Sequence, residues 1–152
     1  TGFSIKWPND IYWHDKKIAG ILIENVLSGS TFSRAIIGMG LNINQKNFYS
    51  DAPNPVSLYQ ITGRTYNIEK ILDEFTEAFG KRYTDTFTNS SDRIHKEYIA
   101  ALYRNDGVYP FYSDGNIFHA SIADVELDGH LLLSMESGEK KRFAFKEVSF
   151  LL

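Results

Sequence analysis

The side chains able to do chemistry crowd into three runs within residues 1–44. Lys6-Trp7-Pro8-Asn9-Asp10 sets an ammonium, a carboxamide and a carboxylate close together. Lys17-Ile18-Ala19-Gly20-Ile21-Leu22-Ile23-Glu24 is a mostly apolar, strand-like stretch with a lysine at its entrance. Gly38-Met39-Gly40-Leu41-Asn42-Ile43-Asn44 alternates strictly. In an extended strand, Ala35, Ile37, Met39, Leu41 and Ile43 face one way, and Arg34, Ile36, Gly38, Gly40, Asn42 and Asn44 face the other. The second face offers two bare glycine backbones followed by two carboxamides. Glycine inside a strand costs about 0.5–1 kcal/mol relative to alanine, so close approach of a ligand or another backbone accounts for the pair better than packing does. The run is not a dinucleotide fingerprint, because Ile43 stands where the third glycine belongs, and it is not a P-loop.

Other chemistries drop out. Cysteine is absent, which excludes disulfides, thiolate nucleophiles and cysteine-based zinc sites. His14, His95, His119 and His130 have no metal-ligand or triad spacing and read as surface residues. Taken alone, Lys17 is a strand-end lysine, which is more often solvated than functional. Asp10 suits a turn as well as a site, and Trp7 and Asn9 are read equally well as structural. Arg34 reads as a solvated sheet-face or interface residue, and Glu24 as a charge facing a subunit contact.

The elements that must hold these runs follow from periodicity. Phe3 to Lys6 alternates as a strand ending at Trp7-Pro8, where proline cannot donate to a ladder and a turn follows. Ile11 to Trp13 is a short strand, His14 to Lys16 a tight turn, and Lys17 to Val26 the next strand. The Ser-Gly-Ser stretch between Leu27 and Phe32 reverses the chain into a strand from Ser33 to Asn44, predicting an antiparallel hairpin. Gln45 to Val56 reads as a surface loop. Ser57 caps a short helix stopped by Gly63. Ile68, Ile71, Leu72, Phe75, Ala78 and Phe79 recur at helical spacing behind Asn67 as N-cap, predicting a helix to Tyr83 or beyond. A further helix runs from about Ser91 to Asn105-Asp106-Gly107. Beyond Val108 the pattern changes to short alternating runs, Ile117 to Val125, Leu131 to Met135, Arg142 to Phe145 and Val148 to Phe150. Turns at Asp114-Gly115, Asp128-Gly129 and Ser137-Gly138-Glu139 separate them, which predicts a miniature β-barrel.

The 152 residues, 43% hydrophobic and 14% aromatic, suffice for a packed core and argue against disorder. No apolar run approaches the roughly 18 residues that span a bilayer. The net charge of −3, with no basic block beyond Lys140-Lys141-Arg142, argues against nucleic-acid binding. A cytoplasmic location fits the absence of cysteine, and Asn89-Ser90-Ser91 matches a glycosylation acceptor by chance.

The three runs, in this order and spacing, resemble the catalytic domain of the biotin–protein ligases (biotin–[acetyl-CoA-carboxylase] ligases). The resemblance is strong before residue 45 and weak beyond it. It implies an α/β (α+β) fold, the C-terminal portion of a class II synthetase-like catalytic domain over residues 1–105, followed by an SH3-like β-barrel over 106–152. The family's Gly/Arg-rich adenylate loop is not in this sequence, so the chain is expected to be part of a longer ligase and inactive alone.

The implied reaction activates biotin with ATP and Mg²⁺ to biotinyl-AMP, then transfers biotin to a lysine of a carboxylase's biotin carboxyl carrier domain. By position in its motif, Lys17 matches the lysine that touches the biotin carboxylate and the phosphate, the catalytic residue. Gly20, Ile21 and Leu22 match the biotin-lining stretch, Gly38 and Gly40 let biotin's ring system or the adenylate lie close to the backbone, and Asn42, with Lys17, matches the nucleotide contact. Asp10 and Asn9 are the candidates to position Mg²⁺ or the acceptor lysine in that reaction, with no protein ligand cluster for a metal. A homodimer through the two long strands is a further expectation. The rivals are a lipoate–protein ligase and a non-catalytic biotin-binding or dimerisation module.

Overall fold

The computed structural model describes residues 2–29, 31–49, 53–88 and 91–151. Ser30 of the expected chain reversal, residues 50–52 of the expected loop, and Asn89-Ser90 of the glycosylation match lie outside them.

An antiparallel sheet comprises β1 (Phe3–Lys6), β2 (Asp10–Trp13), β3 (Lys16–Ser28) and β4 (Thr31–Leu41), in that spatial order. The long β3–β4 hairpin forms as its alternation dictates. Its register sets Gly20 opposite Gly40 and Leu22 opposite Gly38. Lys6 pairs with Asp10 and Asp10 with Gly20, so Lys6, Asp10, Gly20 and Gly40 form one row across all four strands. β4 ends at Leu41, which corrects the expected extension to Asn44. The physical reason is that the following backbone is claimed elsewhere. The carbonyls of Asn42 and Ile43 accept from Leu58 and Tyr59 at 3.0 and 2.8 Å.

α1 (Leu58–Thr62) has the expected Ser57 cap, a capping box with Gln60, and Gly63 in the left-handed conformation at its end. α2 (Ile68–Thr88) begins where Asn67 Oδ1 accepts from the Lys70 backbone N–H, and α3 spans Ser91–Ala100. The first turn of α2 and β4 meet in a small apolar groove lined by Met39, Leu41, Ile68, Leu72 and Phe75. No helix among the described residues is long and apolar enough to cross a membrane.

The C-terminal strands are β5 (Tyr109–Ser113), β6 (Asn116–Val125), β7 (Leu131–Met135), β8 (Lys140–Phe143) and β9 (Ser149–Phe150). They form an antiparallel sheet ordered β8-β7-β6-β5-β9. β5 has no counterpart among the runs picked out by alternation. Pro110 lies inside it, and proline lowers any strand reading. Lys140–Phe143 also sits two residues earlier than the run Arg142 to Phe145 predicts, because the 144–147 turn takes Ala144 and Phe145.

One core joins the two sheets. Trp7 and Tyr12 of the first, Leu102 and Tyr103 after α3, and Phe111, Leu131, Leu133 and Phe150 of the second are buried together. Trp7 is only 4% exposed, and its indole N–H donates to the Gly129 carbonyl at 2.9 Å. Trp7 is therefore a strut between the first run and the β6–β7 turn. Trp7→Phe loses the donor together with the five-membered ring, and should lower the stability by at least about 1–2 kcal/mol. A urea midpoint equal to the parent's would deny that bond any role.

Candidate functional site

A bulge turns Lys17 towards the site. Ile11 pairs with Ala19 but Tyr12 with Lys17, so Ile18 is an extra residue in β3. An extra residue reverses the side-chain alternation beyond it, which brings Lys17 to the same face as Gly20. Ile18 itself is buried with Ala19 and Val56. The backbone of Lys17 is fixed from the loop side. Its N–H donates to the Asn54 carbonyl and its carbonyl accepts from the Val56 N–H, both at 2.8 Å.

The Lys17 ammonium lies 2.6 Å from Asp10 Oδ1, with the two side chains 31% and 18% exposed. This is a half-buried ion pair, open to solvent on one side. Gly20 forms the floor under it. A methyl there would meet Asp10 Oδ1 and Lys17 Cε and Nζ at 3.4 Å. Over Gly40 a methyl would meet nothing within 4 Å, and over Gly38 only the Leu22 carbonyl at 4.0 Å. The glycine face is thus bare among the described residues, with only the Leu22 carbonyl at the edge of contact over Gly38.

Lys17 borders two openings. A groove of about 410 Å³ is lined by Lys17, Gly20, Gly40, Asn42, Gln45 and Phe48. A cleft of about 480 Å³ on the other side runs from Lys6, Asn9, Asp10 and Lys17 to Lys146 and Ser149 after β8. Among the described residues the Asn42 side-chain NH₂ reaches only the Lys17 carbonyl, at 3.5 Å, a long and weak bond that leaves the amide available. Asn44, by contrast, is consumed in structure, exchanging 2.8 and 2.9 Å bonds with the Tyr66 backbone.

Lys6 sits half-buried, with its ammonium 5.4 Å from the Tyr12 ring centre and 5.0 Å from that of Phe150. Burial pulls its pKa down, Asp10 opposes that, and Lys17 and Arg104 add repulsion. Tyr103, whose hydroxyl donates to Asp15 at 2.5 Å, is pushed up to about 12 by burial and by that bond.

The structure therefore brings Lys17, Asp10, Asn9, Gly20, Gly40 and Asn42 to adjoining walls of one region. Gly38 continues the bare face one pair further along the hairpin. Ile21 is separated from it, since successive strand residues alternate. Ile21, Leu22 and Ile23 border an apolar cavity of about 430 Å³ with Ile5, Ile11 and Tyr98, beside the edge of β3 that β2 leaves uncovered. Gln45, Phe48 and Lys146 were not predicted. Gln45 and Phe48 belong to a stretch whose polarity reads as surface loop, and Lys146 follows a short run with no special pattern. Among the described residues one acidic and histidine group, Glu126, Asp128 and His130, has metal-like spacing. The Arg142 guanidinium already pairs with both of its carboxylates.

Residues 2–42 match the model of the biotin/lipoate A/B protein ligase family. The chain is 30% identical over 146 residues to the bifunctional ligase/repressor BirA of Bacillus subtilis, which covers 92% of this chain and 44% of that protein. It is 30% identical over 105 residues to the biotin–[acetyl-CoA-carboxylase] ligase of Paracoccus denitrificans, covering 66% of this chain and 44% of that one. The chain thus spans less than half the length of these curated relatives. The solved biotin protein ligase of Aquifex aeolicus superposes with a TM-score of 0.75 at 23% identity, over 98% of this chain and 65% of that one. The same enzyme in complex with biotin and ATP gives 0.71 at 23% identity, over 97% and 61%. The mixed architecture of antiparallel sheets and helices is the fold of these ligases.

Proposed function

We propose that this chain belongs with the biotin–protein ligases and supplies the Lys17 side of the catalytic site of an ATP-dependent biotin ligase. The observation that carries the reading is Lys17 itself, held by Asp10 above Gly20 and open both to the Asn42 groove and to the Lys6 cleft.

In the first step a carboxylate oxygen of biotin attacks the α-phosphorus of ATP. The bond to the bridging oxygen breaks, and pyrophosphate leaves with the electron pair. Lys17 stands where the two anions meet and offsets the charge that grows on the phosphate. The bicyclic ring lies on the bare backbone of Gly38 and Gly40, flanked by Gly20 and Leu22. The Asn42 amide, with donor and acceptor on one group, matches the Watson–Crick edge of adenine.

In the second step the neutral amine of an acceptor lysine attacks the acyl carbon, AMP departs, and the amine loses a proton. Asp10, with Asn9 beside it, orients the incoming lysine while its ammonium gives up a first proton to become that neutral amine. Magnesium binds through one or two carboxylates plus substrate phosphates, and Asp10 is the one carboxylate lining the Lys6 cleft. It would hold a phosphate-borne Mg²⁺, which supplies further charge neutralisation.

The acceptor in this reading is a carboxylase's biotin carboxyl carrier domain in the cytoplasm. Residues 106–152 form an SH3-like module behind residues 1–105, and the open edge of β4 supports a homodimer through the sheet. The catalytic unit is a longer protein. Leu22, Ile23, Ile36 and Ile37 are each at least half exposed on the two faces of the hairpin, and apolar surface of this kind is usually covered.

Two measurements test the reading. The purified chain should bind a non-hydrolysable biotinyl-adenylate analogue more tightly than free biotin, and more tightly than the lipoyl counterpart. Equal affinity for biotin with and without the nucleotide would favour a non-catalytic biotin-binding module, and preference for the lipoyl analogue a lipoate ligase. The chain alone should not biotinylate a carrier domain at a useful rate, and efficient transfer would overturn the longer-protein part.

A further inference from the structure

We propose that Tyr103, in the segment that follows α3, is a positioning residue for Lys17 and acts through Asp15 in the β2–β3 turn. The inference rests on the ligase reading for what Lys17 does, and adds a residue that reading does not use.

The need for such a residue follows from the bulge. Between Ile18 and the turn, the β2–β3 ladder consists of the pairs Tyr12–Lys17 and Trp13–Lys16 alone. A bulge interrupts the ladder and bends its strand, so the tip from Tyr12 to Lys17 takes its orientation from contacts outside the sheet. Some of these are the bonds of the Lys17 main chain to Asn54 and Val56. The others come from Tyr103. Its hydroxyl donates to Asp15 Oδ1 at 2.5 Å, just ahead of Lys17 in the chain. Its ring lies 5.2 Å from that of Tyr12, the residue across the ladder from Lys17. Tyr103 thus holds the tip on both of its strands.

Tyr103 is itself firmly placed. It is buried, its backbone N–H donates to the Ile5 carbonyl at 2.8 Å, and its ring packs 6.0 Å from that of Phe150. The Arg104 guanidinium lies 5.0 Å from the centre of the same ring and donates to the Leu151 carbonyl at 2.5 Å. Arg104 does so with a φ of 58°, a left-handed conformation that residues other than glycine hold at a cost. The anchor is therefore built on β1, β9 and Leu151, and not on the hairpin it steadies.

Asp15 is an exposed turn carboxylate that water alone would satisfy, so the bond does more to place the turn than to solvate the acid. Placement matters here because the Lys17 ammonium must meet charge that grows in the transition state. A misplacement of about 1 Å costs on the order of 10²-fold in rate.

Adenylation kinetics in the full protein containing this chain, followed as pyrophosphate release, test the assignment. Tyr103→Phe removes the hydroxyl and keeps the ring. It should lower kcat about tenfold and leave the KM for biotin and for ATP at the parental values, as expected when a transition-state interaction is lost. Asp15→Ala should match it. Asp15→Asn keeps an acceptor oxygen and should restore most of the parental rate. The double variant Tyr103→Phe/Asp15→Ala should be no slower than either single one. A merely structural tyrosine would lower the thermal midpoint and leave the kcat of the folded enzyme unchanged. The two Asp15 variants decide the matter should Tyr103→Phe fail to fold. Amide hydrogen exchange at Lys17, whose N–H is bonded to the Asn54 carbonyl, is read in the same proteins and should be faster in Asp15→Ala than in Asp15→Asn. Three results would overturn the proposal: parental kcat in Asp15→Ala or in folded Tyr103→Phe, Asp15→Asn as slow as Asp15→Ala, or additive losses in the double variant. If the parent releases no pyrophosphate in response to biotin, the ligase reading fails. Faster Lys17 exchange in Asp15→Ala then still upholds the link from Tyr103 to Lys17, and parental exchange removes it.

Discussion

Lys17→Ala should depress kcat/KM for biotin adenylation by about 10²–10³-fold, the order seen when one fixed stabiliser of a developing anion is removed. The argument rests on where the ammonium is held. Asp10 fixes it at 2.6 Å, the Ile18 bulge turns it towards the glycine floor, and two backbone bonds from the 54–56 segment anchor its main chain. None of this is needed for an ordinary surface lysine, whose replacement usually shifts stability by no more than about 0.5 kcal/mol. Lys17→Arg keeps the charge, but its broad planar fork replaces a compact ammonium, so rescue should be partial. Lys17→Gln restores bulk without charge and should behave as Lys17→Ala. Pyrophosphate release on mixing biotin with ATP, followed in the full protein containing this chain, separates the cases, provided the variants keep the parental thermal midpoint.

Asn42→Ala should raise the KM for ATP well above its effect on the KM for biotin. A lost donor–acceptor pair to a base is worth roughly 1–3 kcal/mol, which corresponds to about 5- to 150-fold. The side chain is free for this. Its bond within the chain is the 3.5 Å contact to the Lys17 carbonyl, while its backbone N–H donates to the Ile18 carbonyl at 2.9 Å and its carbonyl accepts from Leu58. Those main-chain bonds survive the substitution, so the loss falls on the ligand. An unchanged KM for ATP would remove Asn42 from the nucleotide site. Asn44→Ala serves as the contrast. It breaks the clamp on Tyr66 and should lower stability rather than act selectively on ATP.

The hairpin carrying this site was legible because alternation in β3 and β4 is strict enough to set both faces. The glycine face was legible for the same reason, since no packing argument favours Gly38 and Gly40 in a strand. The direction of Lys17 was not. By simple alternation Lys17 and Gly20 lie on opposite faces, and only the extra residue at Ile18 brings them together. Local pattern carries no mark of that bulge. Asn42 and Asn44 looked equivalent, yet the strand stops between Leu41 and Asn42, and long-range bonds to Tyr66 decide what Asn44 does. The polar stretch around Gln45 and Phe48 read as loop, as its composition demands, but a parallel bridge between Lys17 and Pro55 folds it back over the site. Lys146 was invisible for a different reason. Its partners in the cleft lie more than a hundred positions earlier in the chain, and only the shared core of Trp7, Tyr103 and Phe150 brings the two sheets together.

The most direct test of the central claim is biotin-dependent exchange of labelled pyrophosphate into ATP, measured in the full protein containing this chain with its carrier domain left out. Exchange reports formation and reversal of the adenylate alone, so it isolates the step assigned to Lys17. The account predicts exchange that requires biotin, is not supported by lipoate, and falls by about two to three orders of magnitude in Lys17→Ala. Exchange at the parental rate in a folded Lys17→Ala variant, or exchange supported equally by lipoate, would contradict it.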